Sequence, residues 1–232
     1  MLCAVAGRAQ ANLLANGGFE NPVQSAGAAQ TFGPGQTLPL SGPGWTVVGS
    51  PGTSIYLLEN TYNEPFNSVP QFNAQEGANS VDLSGPANVG PSAGIEQTVA
   101  VVPGRSYVLT FFVGRVTPSG GPSGVYPGPA TVDLVVDGGP RLPFTNSGVT
   151  NGHINWKLFS HPFTATSTQV SIAFLNGTPA GTNEAGLDGV SLEPAVSIPA
   201  LPGWGVAALG AWFLSAAGAA LRAPSRRARP RS

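Results

Sequence analysis

Apolar and polar side chains alternate through the middle of the chain, between short turn sequences. Two segments, Thr131–Asp137 and Gln169–Phe174, carry an apolar residue at every second position. This period of two is typical of a β-strand with one buried face. The residues expected to face the core are Val132, Leu134, Val136, Val170, Ile172 and Phe174.

Ser106–Val113 is apolar on both faces, which predicts a strand in the middle of a sheet, and Pro103-Gly104 marks a turn before it. The other predicted strands are Ser54–Leu58, Ser80–Leu83, Gly94–Val101, Trp156–Phe163 and Gly186–Leu192. Many short strands with turns between them predict an all-β fold, a jelly-roll sandwich, with no room for βαβ units. Pro118–Pro129, rich in Gly, Pro and Ser, is expected to be a long exposed loop.

The composition supports this fold class. The 232 residues include 32 Gly and 23 Pro, and 41% of them are hydrophobic while 9% are charged. Gly and Pro interrupt helices, and the hydrophobic content is too high for a disordered chain. We therefore expect one domain of residues 12–194 between shorter terminal segments, 1–11 and 195–232.

The charges are unevenly distributed. Residues 12–194 contain four basic residues and all eleven acidic ones, a net charge of −7. Nucleic-acid binding requires many phosphate-neutralising cations, so this acidic body excludes a nucleic-acid partner. It is compatible with bound cations and uncharged sugars. The single cysteine, Cys3, excludes an internal disulfide.

The N-terminus indicates export. Ala9-Gln10-Ala11 has the small-x-small pattern that precedes a signal-peptidase cleavage site, although residues 1–11 lack a basic start and a full apolar run. We interpret residues 1–11 as the remnant of a signal peptide whose true start lies upstream. The alternative is an irregular cytoplasmic terminus.

The C-terminus is a three-part tail. The sorting-motif residues are Ile198, Pro199, Ala200, Leu201 and Trp204. An uncharged stretch, Gly205–Leu221, follows and is long enough for a transmembrane helix, and an arginine cluster would then stay in the cytoplasm. The layout resembles the IPTL-CTERM sorting signal, a relative of the PEP-CTERM signals, with Ala200 and Pro202 where Thr and Ser are usual. The resemblance implies membrane insertion and an exosortase-like processing enzyme. A plain anchor and a buried helix are the alternatives.

Short motifs in a fixed order frame the body. It opens with Asn12-Leu13-Leu14-Ala15-Asn16-Gly17-Gly18-Phe19-Glu20-Asn21-Pro22 and closes with Gly186-Leu187-Asp188-Gly189-Val190-Ser191-Leu192. Between them stand Gly44-Trp45-Thr46-Val47, Gly77-Ala78-Asn79-Ser80-Val81-Asp82-Leu83 and Ile95-Glu96-Gln97-Thr98-Val99. This order resembles the galactose-binding-like sandwiches grouped as DUF642 and the related choice-of-anchor surface proteins. The resemblance implies a carbohydrate-binding-module-like body, a polysaccharide partner and a place at the cell surface or in the extracellular matrix.

The same resemblance implies a structural calcium ion joining the first and last strands. Glu20 and Asp188 are the implied carboxylate ligands, with backbone carbonyls completing the coordination. The alternative for Glu20 is a local capping or pairing role.

Sugar binding requires aromatic rings that lie against pyranose rings. The candidate ligand-binding residues are Tyr62, Tyr126, Trp45 and Trp156. Tyr62 and Tyr126 lie in loop-like stretches, and 60–64 is the most polar-aromatic of these. Trp45 and Trp156 have a strong alternative as core residues of the sandwich.

Catalytic motifs are missing from the sequence. No two acidic residues form a recognisable glycosidase pair, and His153 and His161 have no Gly-x-Ser-x-Gly nucleophile motif beside them. We therefore expect an exported, non-enzymatic carbohydrate-binding protein of the cell surface. A structural surface protein without a small ligand is the alternative, and a glycan hydrolase is a weaker one.

Overall fold

In the computed structural model, the described residues are 11–39, 42–63, 72–86, 88, 90–91, 93–118 and 126–195. Within these ranges the chain forms strands that lie in two antiparallel sheets. The strands are β1 (Ala29–Phe32), β2 (Thr37–Leu38), β3 (Trp45–Gly49), β4 (Ile55–Glu59), β5 (Asn79–Asp82), β6 (Ala93–Ala100), β7 (Ser106–Thr117), β8 (Ala130–Val136), β9 (Leu142–Asn146), β10 (His153–Thr164), β11 (Gln169–Asn176) and β12 (Gly186–Pro194).

Each sheet has six strands. Sheet A has the order β1-β4-β5-β12-β7-β10, and sheet B has the order β2-β3-β6-β11-β8-β9. The prediction of an all-β sandwich is confirmed. The last strand, β12, lies inside sheet A between β5 and β7, and β7 lies between β12 and β10 as its apolar sequence predicts.

The core lies between the two sheets and is rich in aromatic rings. The ring centroids of Phe111 and Phe174 are 4.8 Å apart, and Trp45 lies 5.9 Å from Phe174 and 6.0 Å from Phe19. The inward-facing residues predicted for β8 and β11 are buried, except Val136, which is partly buried against the core. Burial of these side chains is the main favourable contribution to folding.

The predicted strands are all present, with ends shifted by a few residues. The longest extension is in β7, which continues beyond Val113 to Thr117. Arg115 breaks the apolar run there, but its guanidinium is buried and donates hydrogen bonds to the carbonyl oxygens of Gly128, Ser147 and Gly148. The strands that the pattern did not predict are β1, β2, β3 and β9. Two of them are very short, and β9 contains Pro143, which lowers strand propensity.

The chain divides into two units, residues 1–195 and 196–232. The second unit contains the predicted sorting motif and Gly205–Leu221, and it lies outside the described residues, as do residues 1–10. In the part of the chain that the structure describes, no helix is long and apolar enough to cross a membrane.

We expect Trp45→Ala to lower the free energy of unfolding by about 3–5 kcal/mol, because removal of a large buried ring leaves a cavity in the core. Thr46→Ala is the matched control, since its side chain is exposed on the same strand. Its effect should stay within about 0.5 kcal/mol. Urea unfolding followed by fluorescence or circular dichroism measures both, and equal effects would contradict the placement of Trp45.

Candidate functional site

One row of paired residues crosses the outer face of sheet A. Its members, in order across the sheet, are Tyr56, Asp82, Gly186, Gly114 and Trp156, each paired with the next. Directly paired residues of antiparallel strands carry their side chains on the same face. Their neighbours along the strands belong to the core, namely Leu57, Val81, Leu187 and Val113. The row therefore faces away from the core.

The two glycines form the floor of this row. A Cβ atom on Gly114 would lie 2.6 Å from Cζ3 of Trp156 and 2.9 Å from Cγ2 of Ile154. The indole ring thus rests directly on the backbone of β7, in space that any other residue at position 114 would fill. A Cβ atom on Gly186, the next position in the row, would lie 3.0 Å from the Cα atom of Gly114.

Aromatic and aliphatic side chains gather around the row. We call this group the outer aromatic cluster; it contains Leu58, Phe72, Val116, Tyr126 and Ile154, with partly buried Ala29, Tyr56, Tyr62 and Trp156 packed against them. The rings of Tyr62 and Phe72 meet edge to face at 5.5 Å. Tyr56, Tyr62 and Trp156 keep part of their surface accessible, which a ligand-stacking ring requires.

The described parts of the connection between β4 and β5, residues 60–63 and 72–78, contact this face. Phe72 donates its backbone N–H to the carbonyl oxygen of Tyr62, at 3.0 Å. Asn73 lies over β10, where its side-chain oxygen accepts the N–H of Ile154 at 3.1 Å and its carbonyl accepts the indole N–H of Trp156 at 2.9 Å. The Asn73 carbonyl therefore holds the Trp156 ring at its N–H edge, while Gly114 leaves room for the ring against the backbone of β7.

Three polar side chains meet at one end of β5. Asp82 Oδ1 accepts hydrogen bonds from the N–H of Ser84 at 2.9 Å, the hydroxyl of Ser84 at 2.6 Å and the N–H of Ala185 at 3.1 Å. The Ser84 hydroxyl also contacts Glu184 Oε2. Burial raises the pKa of Asp82, against the hydrogen bonds from Ser84 and Ala185, which lower it.

Glu20 and Asp188 hold the end of the β4–β5 connection. Asp188 Oδ2 accepts the N–H groups of Gln75 at 2.8 Å and Glu76 at 3.3 Å, and Oδ1 accepts the N–H of Gly189 at 2.7 Å. Glu20 accepts the N–H groups of Ala78 and Asn79. Burial raises the pKa of Asp188 to about 7, against three hydrogen bonds that lower it, and the Glu76 carboxylate adds to the rise.

The donor chemistry around Asp188 suits a hard cation in part. Gln75 Oε1 is buried there and has no hydrogen-bond partner, and oxygen atoms of this kind are calcium ligands. Among the described residues, however, no three His, Cys, Asp or Glu side chains gather as a metal-binding group. A calcium ion at Glu20 and Asp188 would depend on amide and carbonyl oxygens for the rest of its coordination.

The structure brings three of the four predicted aromatic residues together. Tyr62, Tyr126 and Trp156 all belong to the outer aromatic cluster. Tyr126 precedes β8 as predicted, but only 1% of its surface is exposed, so it supports the cluster from within. The prediction that Trp45 binds the ligand is wrong. Trp45 is fully buried between the sheets, and its indole N–H donates a hydrogen bond to the Asn16 carbonyl at 3.1 Å.

Sequence reasoning missed the polar part of the site. Asp82, Ser84 and Glu184 come from segments about a hundred positions apart, so no local motif contains them. The one local signal was Asp82-Leu83-Ser84, where an Asp accepts hydrogen bonds from the residue two positions later, as in an Asx-turn. Phe72 was also missed, because it lies outside any predicted strand.

A second cleft, of about 630 Å³, opens beside β6 of sheet B. Its polar lining includes Thr46, Glu96 and Thr98, and no aromatic side chain lines it. Without a ring for stacking, this cleft is a less suitable sugar site than the face of sheet A.

The model of one protein family matches residues 12–186, three quarters of the chain, and its description is "Protein of unknown function (DUF642)". The chain belongs to the DUF642 family. This membership confirms the resemblance to DUF642 found in the sequence motifs of the body. No curated protein matches the chain.

Several solved structures resemble this DUF642 protein at low identity. TmCBM61 in complex with β-1,4-galactotriose is 18% identical, with a TM-score of 0.47, covering 80% of this chain and 99% of that one. The CBM22-1 xylan-binding domain of Paenibacillus barcinonensis Xyn10C is 16% identical, with a TM-score of 0.39 and coverages of 75% and 99%. A family 35 carbohydrate-binding module from Clostridium thermocellum is 14% identical, with a TM-score of 0.35 and coverages of 65% and 98%.

With a chelator present, we expect the fold to lose stability as pH rises from about 4 to about 8. The pKa of Asp188 is raised on folding from 3.8 to about 7. Such a group stabilises the fold fully below its unfolded pKa, and the contribution is lost as pH rises through the folded pKa. Burial also raises the pKa of Asp82, so this group too should contribute less stability as pH rises.

Urea unfolding at about pH 5 and about pH 8 tests this expectation, with Asp188→Asn as the variant. The difference in the free energy of unfolding between the two pH values should be smaller in the variant than in the wild type. Glu193→Gln, an exposed change on the same strand, is the matched control and should keep the wild-type difference. An unchanged pH dependence in Asp188→Asn would contradict the assignment.

Proposed function

We propose that this DUF642 protein binds polysaccharide on the outer face of sheet A and does not chemically alter it. One observation carries the proposal: partly exposed rings of Tyr56 and Trp156 stand at the two ends of a row whose centre is a carboxyl group and two glycines. Rings supply stacking surfaces for pyranose faces, and the partly exposed carboxylate of Glu184, beside Ser84, can orient the hydroxyls.

The dimensions of the row favour an oligosaccharide over a single sugar. Tyr56 and Trp156 are separated by four inter-strand steps, roughly 19 Å at about 4.8 Å per step. Tyr62 adds a third partly exposed ring above the row, on the β4–β5 connection.

Each residue has a distinct part in the proposed binding. Trp156, fixed between Gly114 and Asn73, offers a pre-oriented ring, which lowers the entropic cost of binding. Glu184, partly exposed beside Ser84, supplies carboxylate oxygens to sugar hydroxyls. Asp82 is buried and holds the end of β5 to the start of β12. A structural surface protein without a small ligand is the competing function, and it needs none of these residues.

Export and sorting complete the proposal and rest on the sequence. Ala9-Gln10-Ala11 supports signal-peptide cleavage, and the tail of 195–232 supports transient membrane anchoring and cleavage by an exosortase-like enzyme. The protein would then reside at the cell surface or in the extracellular matrix. Mass spectrometry of both termini of the surface-associated protein tests this part; a chain that keeps Met1 and Ser232 would contradict it.

We also propose that calcium joins the first and last parts of the body through Glu20 and Asp188. The ion would neutralise carboxylates that already hold both ends of residues 75–79, and the support is the unpartnered Gln75 Oε1 beside them. No catalytic step is assigned to it. Its role would be to fix the β4–β5 connection that in turn positions Trp156.

Calcium is expected to raise the melting temperature of the wild-type chain, and EDTA to lower it, because an ion that binds the folded state alone stabilises it. Glu20→Gln and Asp188→Asn should both abolish this difference. Asp133→Asn, an acid on sheet B, is the control and should preserve it. A wild-type melting temperature that is identical in calcium and in EDTA would disprove the site.

Trp156→Ala and Tyr56→Ala should each weaken polysaccharide binding by roughly tenfold, equivalent to about 1.4 kcal/mol, because each removes one stacking ring. Affinity electrophoresis against galactan, xylan, cellulose derivatives and bacterial exopolysaccharides identifies the polymer, and calorimetry with its oligosaccharides gives the affinity. Thr98→Ala, in the cleft of sheet B, is the control and should bind as the wild type does.

Two results would contradict the proposal. If no polymer binds, the protein is better described as a structural surface protein. If a polymer binds and both aromatic variants bind it normally, while circular dichroism shows them folded, the site lies elsewhere.

A further inference from the structure

We infer that the cleft beside β6 of sheet B binds a primary ammonium group on an apolar stem, the chemistry of a lysine side chain or an alkyl amine. The inference goes beyond the proposed polysaccharide site, which lies on the outer face of sheet A. It follows from a carboxylate and two hydroxyls in the cleft that no other described side chain engages.

The cleft opens where β3 stops pairing with β6. The paired residues of β3 run from Gly49 to Thr46, which lies opposite Glu96, whereas β11 pairs with β6 as far as Ala100. The cleft of about 630 Å³ lies beside this last part of β6. Another part of its lining is fixed by the Gln97 side chain, which donates to the Ala15 carbonyl at 2.9 Å and accepts the Ala15 N–H at 2.8 Å.

Thr46, Glu96 and Thr98 carry the polar groups of the cleft on one face of sheet B. Thr46 is paired with Glu96, and Thr98 is two positions further along β6. Their neighbours Val47 and Ile95 belong to the core, so the three polar side chains point away from it. Cβ atoms in these relative positions are about 5 to 7 Å apart. In the part of the chain that the structure describes, no hydrogen bond or ion pair engages the three side chains.

Glu96 is the one charged side chain among the described residues that line the cleft. It is partly buried, so its carboxylate loses some of its contact with water without gaining a partner of opposite charge. The body around it has a net charge of −7. Because a cleft concentrates the field of the charges that line it, this one attracts cations.

The acceptors of the cleft match a primary ammonium group. An ammonium has three N–H donors and no acceptor, and its hydrogen bonds to a carboxylate are roughly twice as strong as neutral ones. One carboxylate and two hydroxyl oxygens offer three acceptors. Leu13, Pro43 and Val99 add apolar surface to the cleft, against which an alkyl stem can pack.

A metal ion fits the cleft less well than an ammonium group. Calcium takes about six to eight oxygen ligands and is usually bound by several carboxylates. Glu96 is the single carboxylate here, and among the described residues no three His, Cys, Asp or Glu side chains gather as a metal-binding group.

Calorimetry of the full chain in an amine-free phosphate buffer tests this inference. The probes are n-pentylamine, the neutral 1-pentanol of the same length, and a capped tripeptide with lysine between two alanines. Pentylamine should bind at least about tenfold more tightly than pentanol, because the amine alone pairs with Glu96. Rising salt should weaken amine binding. Tighter binding of the tripeptide than of pentylamine would support a peptide as the source of the ammonium group, and the reverse order would support a free amine.

Glu96→Gln should weaken pentylamine binding by roughly tenfold or more, because it removes the charge and keeps a similar shape. Glu193→Gln removes an exposed acid from β12 and is the matched control, which should bind pentylamine as the wild type does. Circular dichroism checks that both variants fold. The comparison of pentylamine with pentanol on the wild type supplies the same answer if Glu96→Gln does not fold.

Several results would overturn the inference. Pentanol that binds as tightly as pentylamine would show that charge plays no part, and unchanged amine binding in Glu96→Gln would place the amine elsewhere. Equal losses in Glu96→Gln and Glu193→Gln would show that net charge, not the cleft, decides the affinity. Absence of binding to every probe would also overturn it. The polysaccharide site on sheet A is measured with other probes and other variants, so its outcome is independent of this one.

Discussion

The insertion of β12 between β5 and β7 is the interaction on which the rest of this structure depends. The last strand of the sandwich is an interior strand, bonded on both sides. It also receives the start of the body, since Asn12 bonds Val190 and Leu192 through its side chain and Gly17 accepts the N–H of Val190. The two ends of residues 12–194 therefore close on each other, and the row on the outer face exists only once they have done so.

A register shift in β12 gives this strand its second role. Pairing with β7 is interrupted between Asp188 and Ser191, and Gly189 has a positive φ of 57° within the interruption. An irregularity of this kind bends a strand and redirects its side chains. The Asp188 carboxylate is placed to accept the N–H groups of Gln75 and Glu76 in the β4–β5 connection, and Asn73 of the same connection accepts the indole N–H of Trp156. One local deviation in a strand thus organises a segment that lies across the sheet.

The sequence predicted eight of the twelve described strands because alternation is a local property, whereas the site is formed by residues distant in the sequence. Val132, Leu134 and the corresponding residues of β11 face the core as their spacing indicates. Trp45 and Trp156 show the limit of prediction from local pattern. Each has an aliphatic residue two positions away on the same face of its strand, and this spacing suits a buried face in both cases. Trp45 faces the opposing sheet, whereas Trp156 lies against Gly114 and Asn73. Both environments depend on pairing between strands that are distant in the sequence.

Trp156 lies on β10, the terminal strand of sheet A, and this position has a consequence for how the protein behaves when crowded. A long strand at the edge of a sheet presents backbone groups to which a strand of another molecule can add. In β10, Pro162 has no N–H to offer and Lys157 carries a charge, so continuation of the sheet by a second copy is interrupted. The edge of sheet A at β10 is therefore poorly suited to pairing with a strand of a second copy.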